Sequence, residues 1–173
     1  MATVSGGDKI SQVLGALGDR LGKATEVRVG FLEGATYPDG TPVAMVATLN
    51  NYGAPDAGIP ARPFFSNMVA DSSPGWSDQF AAVLEASDND TSKALALMGE
   101  GMAGQLREAI VDGAGPANSP VTDLLKQRFP MGGQTFGDVM QARHDVAAGE
   151  SAPAGKVLVW TGHMLSSVDK EVR

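Results

Sequence analysis

TPVAMVATLNNYGAPDAGIPARPFF, residues 41–65, spells out both ends of a helix and then forbids one. Thr41 can cap the first free N–H groups, and Pro42 suits the first helical position, where its missing N–H costs nothing. Val43, Val46, Ala47 and Asn50 follow at helical spacing, and Gly53 can take the left-handed conformation that closes the helix. Pro55, Gly58, Pro60 and Pro63 then predict a stiff, extended arm with Arg62 fixed among prolines. Phe64 and Phe65 come next. A rigid arm, one fixed cation and two large apolar anchors suit a docking element. The same residues suit a core-packing loop with a surface arginine.

On the N-terminal side, Ser5-Gly6-Gly7 reads as a flexible lead, and Asp8 can cap a helix with Ile10, Val13, Leu14, Leu17 and Leu21 on one face. Gly15, Gly18 and Gly22 weaken that helix or admit a neighbouring backbone. Glu26–Glu33 alternates as a strand, with Val27, Val29 and Phe31 on one side. Tyr37-Pro38-Asp39-Gly40 is a turn.

On the C-terminal side, residues 64–71 restart as a helix, and Pro74 opens another with Trp76, Phe80, Val83 and Leu84 on one face. Asp90 caps a long helix to about Asp112, striped by Leu95, Met98, Met102, Leu106 and Ile110. Gly99, Gly101 and Gly104 on its other faces permit close helix contacts, and Gly113 ends it.

Residues 113–155 form a long, irregular insertion punctuated by Gly115, Pro116, Pro120, Pro130, Gly132 and Gly133. Short helices near 121–129 and 136–148 fit it, neither with a strong apolar face. Such a segment is expected to be mobile in the free protein and to order against a neighbour. Lys156–Trp160 reads as a short strand, Thr161 caps one turn at 162–167, and 168–173 is a final strand suited to pair with Val27–Phe31. The expected fold is one α+β domain over 1–173: a small, mainly antiparallel sheet with helices on one face, plus the insertion.

The chain has 173 residues, 43% of them hydrophobic, enough for one domain with a real core. It has no cysteine, so disulfides and thiolate metal sites are excluded. The first residues lack a signal-peptide pattern, and no apolar run reaches membrane-spanning length, so no membrane partner is expected. A net charge of −7 disfavours general nucleic-acid binding, and the nearest thing to a basic cluster is Arg20, Lys23 and Arg28.

Catalytic chemistry is hard to find. His144 and Asp145 are adjacent, and neighbours on a helix point in different directions. Neither His144 nor His163 has the i, i+4 partner of a helical zinc site. Asp88, Asn89 and Asp90 fit a turn and helix cap better than a calcium loop. There is no phosphate loop and no nucleophile elbow. No catalytic residue, metal or cofactor is therefore expected, and the enzymatic alternative is a small hydrolase pairing Ser66 or Ser166 with His163.

Four short motifs, in order, add a family resemblance. Val29-Gly30-Phe31, Asn51-Tyr52-Gly53, Ile59-Pro60-Ala61-Arg62-Pro63-Phe64-Phe65 and Trp160-Thr161-Gly162-His163-Met164-Leu165 resemble the neck or tail-completion (head–tail joining, virion morphogenesis) proteins of tailed bacteriophages. Two departures stand out: Asn51 replaces the family's usual acidic residue, and the segment before the Thr-Gly turn is longer. The resemblance implies a ring of six or twelve copies in the virion neck, assembled in the host cytoplasm. A head-side connector lies on one side of it and a tail-side terminator or tube protein on the other. Double-stranded DNA passes through the channel without specific binding. Asn51, Tyr52, Ile59, Pro60, Arg62, Pro63, Phe64 and Phe65 are then the subunit-interface candidates, and Gly53, Thr161 and Gly162 the structural turns. The alternative location is a peripheral minor capsid or tail position.

Overall fold

The computed structural model describes residues 7–21 and 24–173. The Ser5-Gly6 lead, Gly22 and Lys23 lie outside the described residues, as do the side chains of Asp8, Ile10, Leu17, Arg20 and Leu21. The described elements are α1 (Gly7–Leu21), β1 (Val27–Phe31), α2 (Val43–Tyr52), α3 (Phe64–Ala86), α4 (Thr91–Asp112), α5 (Pro120–Arg128), α6 (Phe136–Ala147), α7 (His163–Ser166) and β2 (Val168–Val172). The fold is α+β, as expected.

The expected strand pairing forms. β1 and β2 run antiparallel, Val27 opposite Val172 and Phe31 opposite Val168. The central helix α4 lies across this ribbon. Its side chain-free Gly99 faces the sheet so closely that a Cβ there would stand 2.6 Å from Val27 Cγ2. Gly101 and Gly104 have open space around them, as do Gly15 and Gly18 in α1, so the close approaches expected at those glycines do not occur. The buried stripe of α4 is Ala94, Met98, Ala103, Leu106 and Ile110. It is centred slightly off the expected one, with Leu95 and Met102 only half-buried.

Leu106 and Ile110 join Val43, Ala47, Phe64, Met68, Leu158, Met164 and Val168 in the main core. Full burial of each large apolar side chain contributes about 1.5–3 kcal/mol. Polar side chains tie the layers together: Trp76 Nε1 donates to Gln105 Oε1 (3.0 Å), and Arg107 donates to the Val168 carbonyl (2.9 Å). Lys170 pairs with Glu100 across the same face.

Several local expectations are corrected. Pro42, not Thr41, is the N-cap of α2, and no side chain caps it. Thr41 instead closes the preceding turn, donating its N–H to Asp39 and accepting from Tyr37. The arm is not wholly extended, since Pro55–Ala57 makes one 3-10 turn. The helices expected on either side of Pro74 are one helix, α3. The missing Pro74 N–H would have bonded the Ala70 carbonyl, and Ala70 is exposed, so water can take its place.

The largest correction is the insertion. Its two helices form where expected, but they are not short of apolar surface. Leu124, Leu125 and Ala142 are buried in a second core with Val121, Phe129, Val139, Val146 and Trp160 around them. The insertion therefore has something to bury within its own chain. Lys156–Trp160 is irregular rather than a strand. Side chains replace a ladder there: the Lys126 ammonium donates to the Lys156 and Val159 carbonyls (2.6 and 2.9 Å), and Trp160 Nε1 donates to the Phe129 carbonyl (2.8 Å).

Candidate functional site

The arm begins where α2 stops. Gly53 sits at φ 75°, and a Cβ on it would lie 2.7 Å from Ala61 N, so the close return of the arm requires glycine. Asn51 does the joining. It is 4% exposed; its Oδ1 accepts from the Phe65 and Ser66 N–H groups (both 3.1 Å), and its Nδ2 donates to Ser66 Oγ (2.7 Å). The end of α2 thereby caps the start of α3, for which no residue adjacent in sequence supplies a side-chain cap. Arg62 N–H donates to the Asn50 carbonyl (2.6 Å), fastening the arm between the two helices.

The interface candidates divide by burial. Asn51, Arg62 and Phe64 are buried in their own chain, and Phe65 packs on the main core. The two phenylalanines thus anchor the arm inward. Tyr52 and Pro60 are exposed, Ile59 and Pro63 half-buried.

Tyr52, Ile59, Pro60 and Arg62 line one open groove of about 1770 Å³. Its opposite walls are the start of the insertion (Pro116–Ser119 with Thr122 and Lys126), the Met131–Gln134 loop, and the Trp160–Met164 turn. The insertion passes over the arm at Gly115, φ 76°, where a Cβ would be 2.5 Å from the Ala61 carbonyl oxygen. Three of the four stretches that carry the family resemblance thus meet on one surface, the turn at 160–164 joining two neighbouring stretches about a hundred residues earlier. The fourth, Val29–Phe31, is in β1.

Two cations lie in this groove. Arg62 is 8% exposed, and its Nε donates to the Pro116 carbonyl (3.3 Å). Burial holds the Lys126 ammonium below the usual lysine range; Asp123 opposes that shift and the nearby Arg62 adds to it. Asp123 is itself buried, and its Oδ1 accepts from Asn118 Nδ2 (2.9 Å) and Gly155 N (3.1 Å). Sequence reasoning missed Lys126 and Asn118, which carry no local motif, and read Gly115 only as punctuation of the insertion. Only their position opposite the arm reveals them.

The Thr-Gly turn closes the groove. Thr161 Oγ1 accepts from His163 N–H (3.3 Å), and Gly162, at φ 78°, is the N-cap of α7. His163 Nε2 meets the Thr36 carbonyl at 2.8 Å, which fixes the proton on that nitrogen, and its ring lies 4.8 Å from that of Tyr37. Burial first, then Asp39, holds the Tyr37 phenol above its usual range. Neither proposed hydroxyl partner faces the imidazole: Ser166 Oγ donates to the His163 carbonyl (2.9 Å), and Ser66 Oγ accepts from Asn51. His144 and Asp145 do touch, at 3.6 Å, but Asp145 is committed to Arg128 at 2.7 Å. Among the described residues, no group of three or more His, Asp or Glu could hold a metal ion, and no helix is long and apolar enough to cross a membrane. Arg28 of the expected basic cluster is paired with Glu26 (2.9 Å).

No family model, curated protein or solved structure matches this chain.

Proposed function

We propose that this chain is a structural protein of a tailed-bacteriophage virion, forming a ring in the neck between the DNA-filled head and the tail. One observation carries the reading. Tyr52-Gly53 at the helix end, Ile59-Pro60-Ala61-Arg62 of the arm and Trp160-Thr161-Gly162-His163-Met164 of the turn, from the stretches that carry the family resemblance, converge on the walls of a single groove. Residues selected for a shared docking task would converge in this way. The work is binding rather than catalysis: many modest interfaces, closed by rotational symmetry, give a stable ring. Six or twelve copies would surround a channel for double-stranded DNA, with a head-side connector and a tail-side terminator or tube protein as axial neighbours.

Negative-stain imaging of the purified protein tests this directly. Rings with a central hole of duplex width, roughly 20 Å or more, are the expected result. Particles that remain single subunits at every concentration would favour the peripheral capsid or tail position instead. Hydrolysis of ester or peptide substrates, abolished by His163→Ala, would favour the enzyme.

A further inference from the structure

Arg62 is an unusual arginine. It is more than nine-tenths buried, yet among the described residues it makes one hydrogen bond, through Nε, and no ion pair. Among the described residues its terminal nitrogens have no acceptor, and the side chain lines the groove. A guanidinium taken out of water in this way is costly unless an anion meets it. The nearby carboxylates do not. Asp123 accepts from an amide and a backbone N–H, and Asp39, on the groove's Tyr37–Thr41 side, is tied to Thr41 N–H. Lys126 adds a second positive charge and gives two of its three N–H donors to carbonyls. At the groove's edge, Tyr52 and Met131 are 71% and 84% exposed, large side chains with little to cover them.

We infer that this groove is a carboxylate-reading socket, and that its occupant is an acidic segment of a second copy of this chain. An Asp or Glu side chain would take the remaining terminal edge of Arg62, Nη1 with Nη2, a bidentate geometry that a planar guanidinium favours. Tyr52 and Met131 would close over the apolar residues flanking it. Charge complementarity chooses the occupant. The chain carries 20 acidic and 13 basic residues, so the surface of each copy offers carboxylates to the cationic groove of another. A socket engaging a different patch on an identical neighbour is a heterologous contact, the kind that closes into rings. This inference rests on the ring reading above and names the face through which the ring closes.

Sedimentation velocity of the full chain over a concentration series tests it. Three proteins are compared: wild type, Arg62→Gln, and the rim variant Tyr52→Ala/Met131→Ala. The rim side chains are mostly exposed, so that variant should keep the wild-type circular dichroism and urea midpoint even if Arg62→Gln unfolds. Wild type is expected to associate, more weakly as salt rises, and both folded variants to associate at least tenfold more weakly. If wild type associates and the folded variants match it, the socket is overturned and copies meet through another face, leaving the ring intact. If wild type stays monomeric throughout, the ring and the socket fall together.

Discussion

At the residue scale, Asn51 shows how one side chain substitutes for a missing local cap. Its position before Tyr52-Gly53 is legible in the sequence; its work is not, because the N–H groups it accepts belong to Phe65 and Ser66, beyond the arm. The arrangement also explains why an acidic residue would serve at this position. A carboxylate could accept hydrogen bonds from the same two N–H groups and from the Ser66 hydroxyl, with a favourable charge at the start of α3. Asn51→Ala should therefore cost roughly 2–3 kcal/mol in urea unfolding, whereas Asn51→Asp should match or exceed wild type at neutral pH. Gly53→Ala offers a second check. It combines a positive φ with a 2.7 Å approach to Ala61 N, while Gly58→Ala has the positive φ alone. The first should destabilise by about 2 kcal/mol or more, the second by about 1 kcal/mol, and a thermal melt separates them. The same packing advises against Phe64→Ala as an interface test, since removing a side chain 2% exposed would cost about 3–5 kcal/mol of core.

At the element scale, the insertion is where sequence reading went furthest astray. The ends of α5 and α6 could be placed from their prolines, glycines and spacing. Their mutual packing could not. A helix of 9 or 12 residues shows too few turns for a stripe to declare itself, and Leu124, Leu125 and Ala142 become a core only when the helices face one another. The irregular run 156–160 reads as a strand because Val157, Leu158, Val159 and Trp160 make a short apolar run rich in β-branched residues, while Lys126 meets two of its carbonyls from the side. Arg128 closes the pair of helices, bonding Asp145 (2.7 Å) and Glu150 (2.9 Å). Hydrogen bonds from Arg128, then Gln141, hold the Asp145 carboxyl below the usual carboxylate range. A group depressed in the folded state contributes stability at neutral pH and loses it as pH falls through its lowered pKa. The insertion should thus loosen before the main core on acidification. Trp160 fluorescence in a Trp76→Phe background should report it, and Arg128→Gln should flatten that transition.

At the scale of the whole molecule, the α+β class and the β1–β2 pairing were legible because strand alternation and helix caps are local signals that the tertiary structure happens to respect. The groove was not, since its walls come from stretches as remote as the arm, the start of the insertion, the Met131–Gln134 loop and the Trp160–Met164 turn. The charge balance of the molecule carries its own prediction. A ring through which DNA slides would hold the duplex if Lys and Arg lined the lumen, through counterion release. With 20 acidic against 13 basic residues, and with Arg28, Arg107, Arg128, Lys170 and Arg173 already paired with carboxylates, a neutral or acidic wall is expected. Gel-shift titration of the assembled protein with duplex DNA at low salt should show weak binding. Tight binding that weakens steeply with salt would mean a basic wall.

The pairing of β1 with β2 also sets a timetable. During synthesis β1 leaves the ribosome long before β2, the strand it pairs with, has been made. Until then α3 and α4 can meet, but the Gly99 face of α4 has only half its cover, and the carbonyl that Arg107 grips, on Val168, does not yet exist. A nascent chain therefore cannot close this fold before β2 has emerged, however early its helices form.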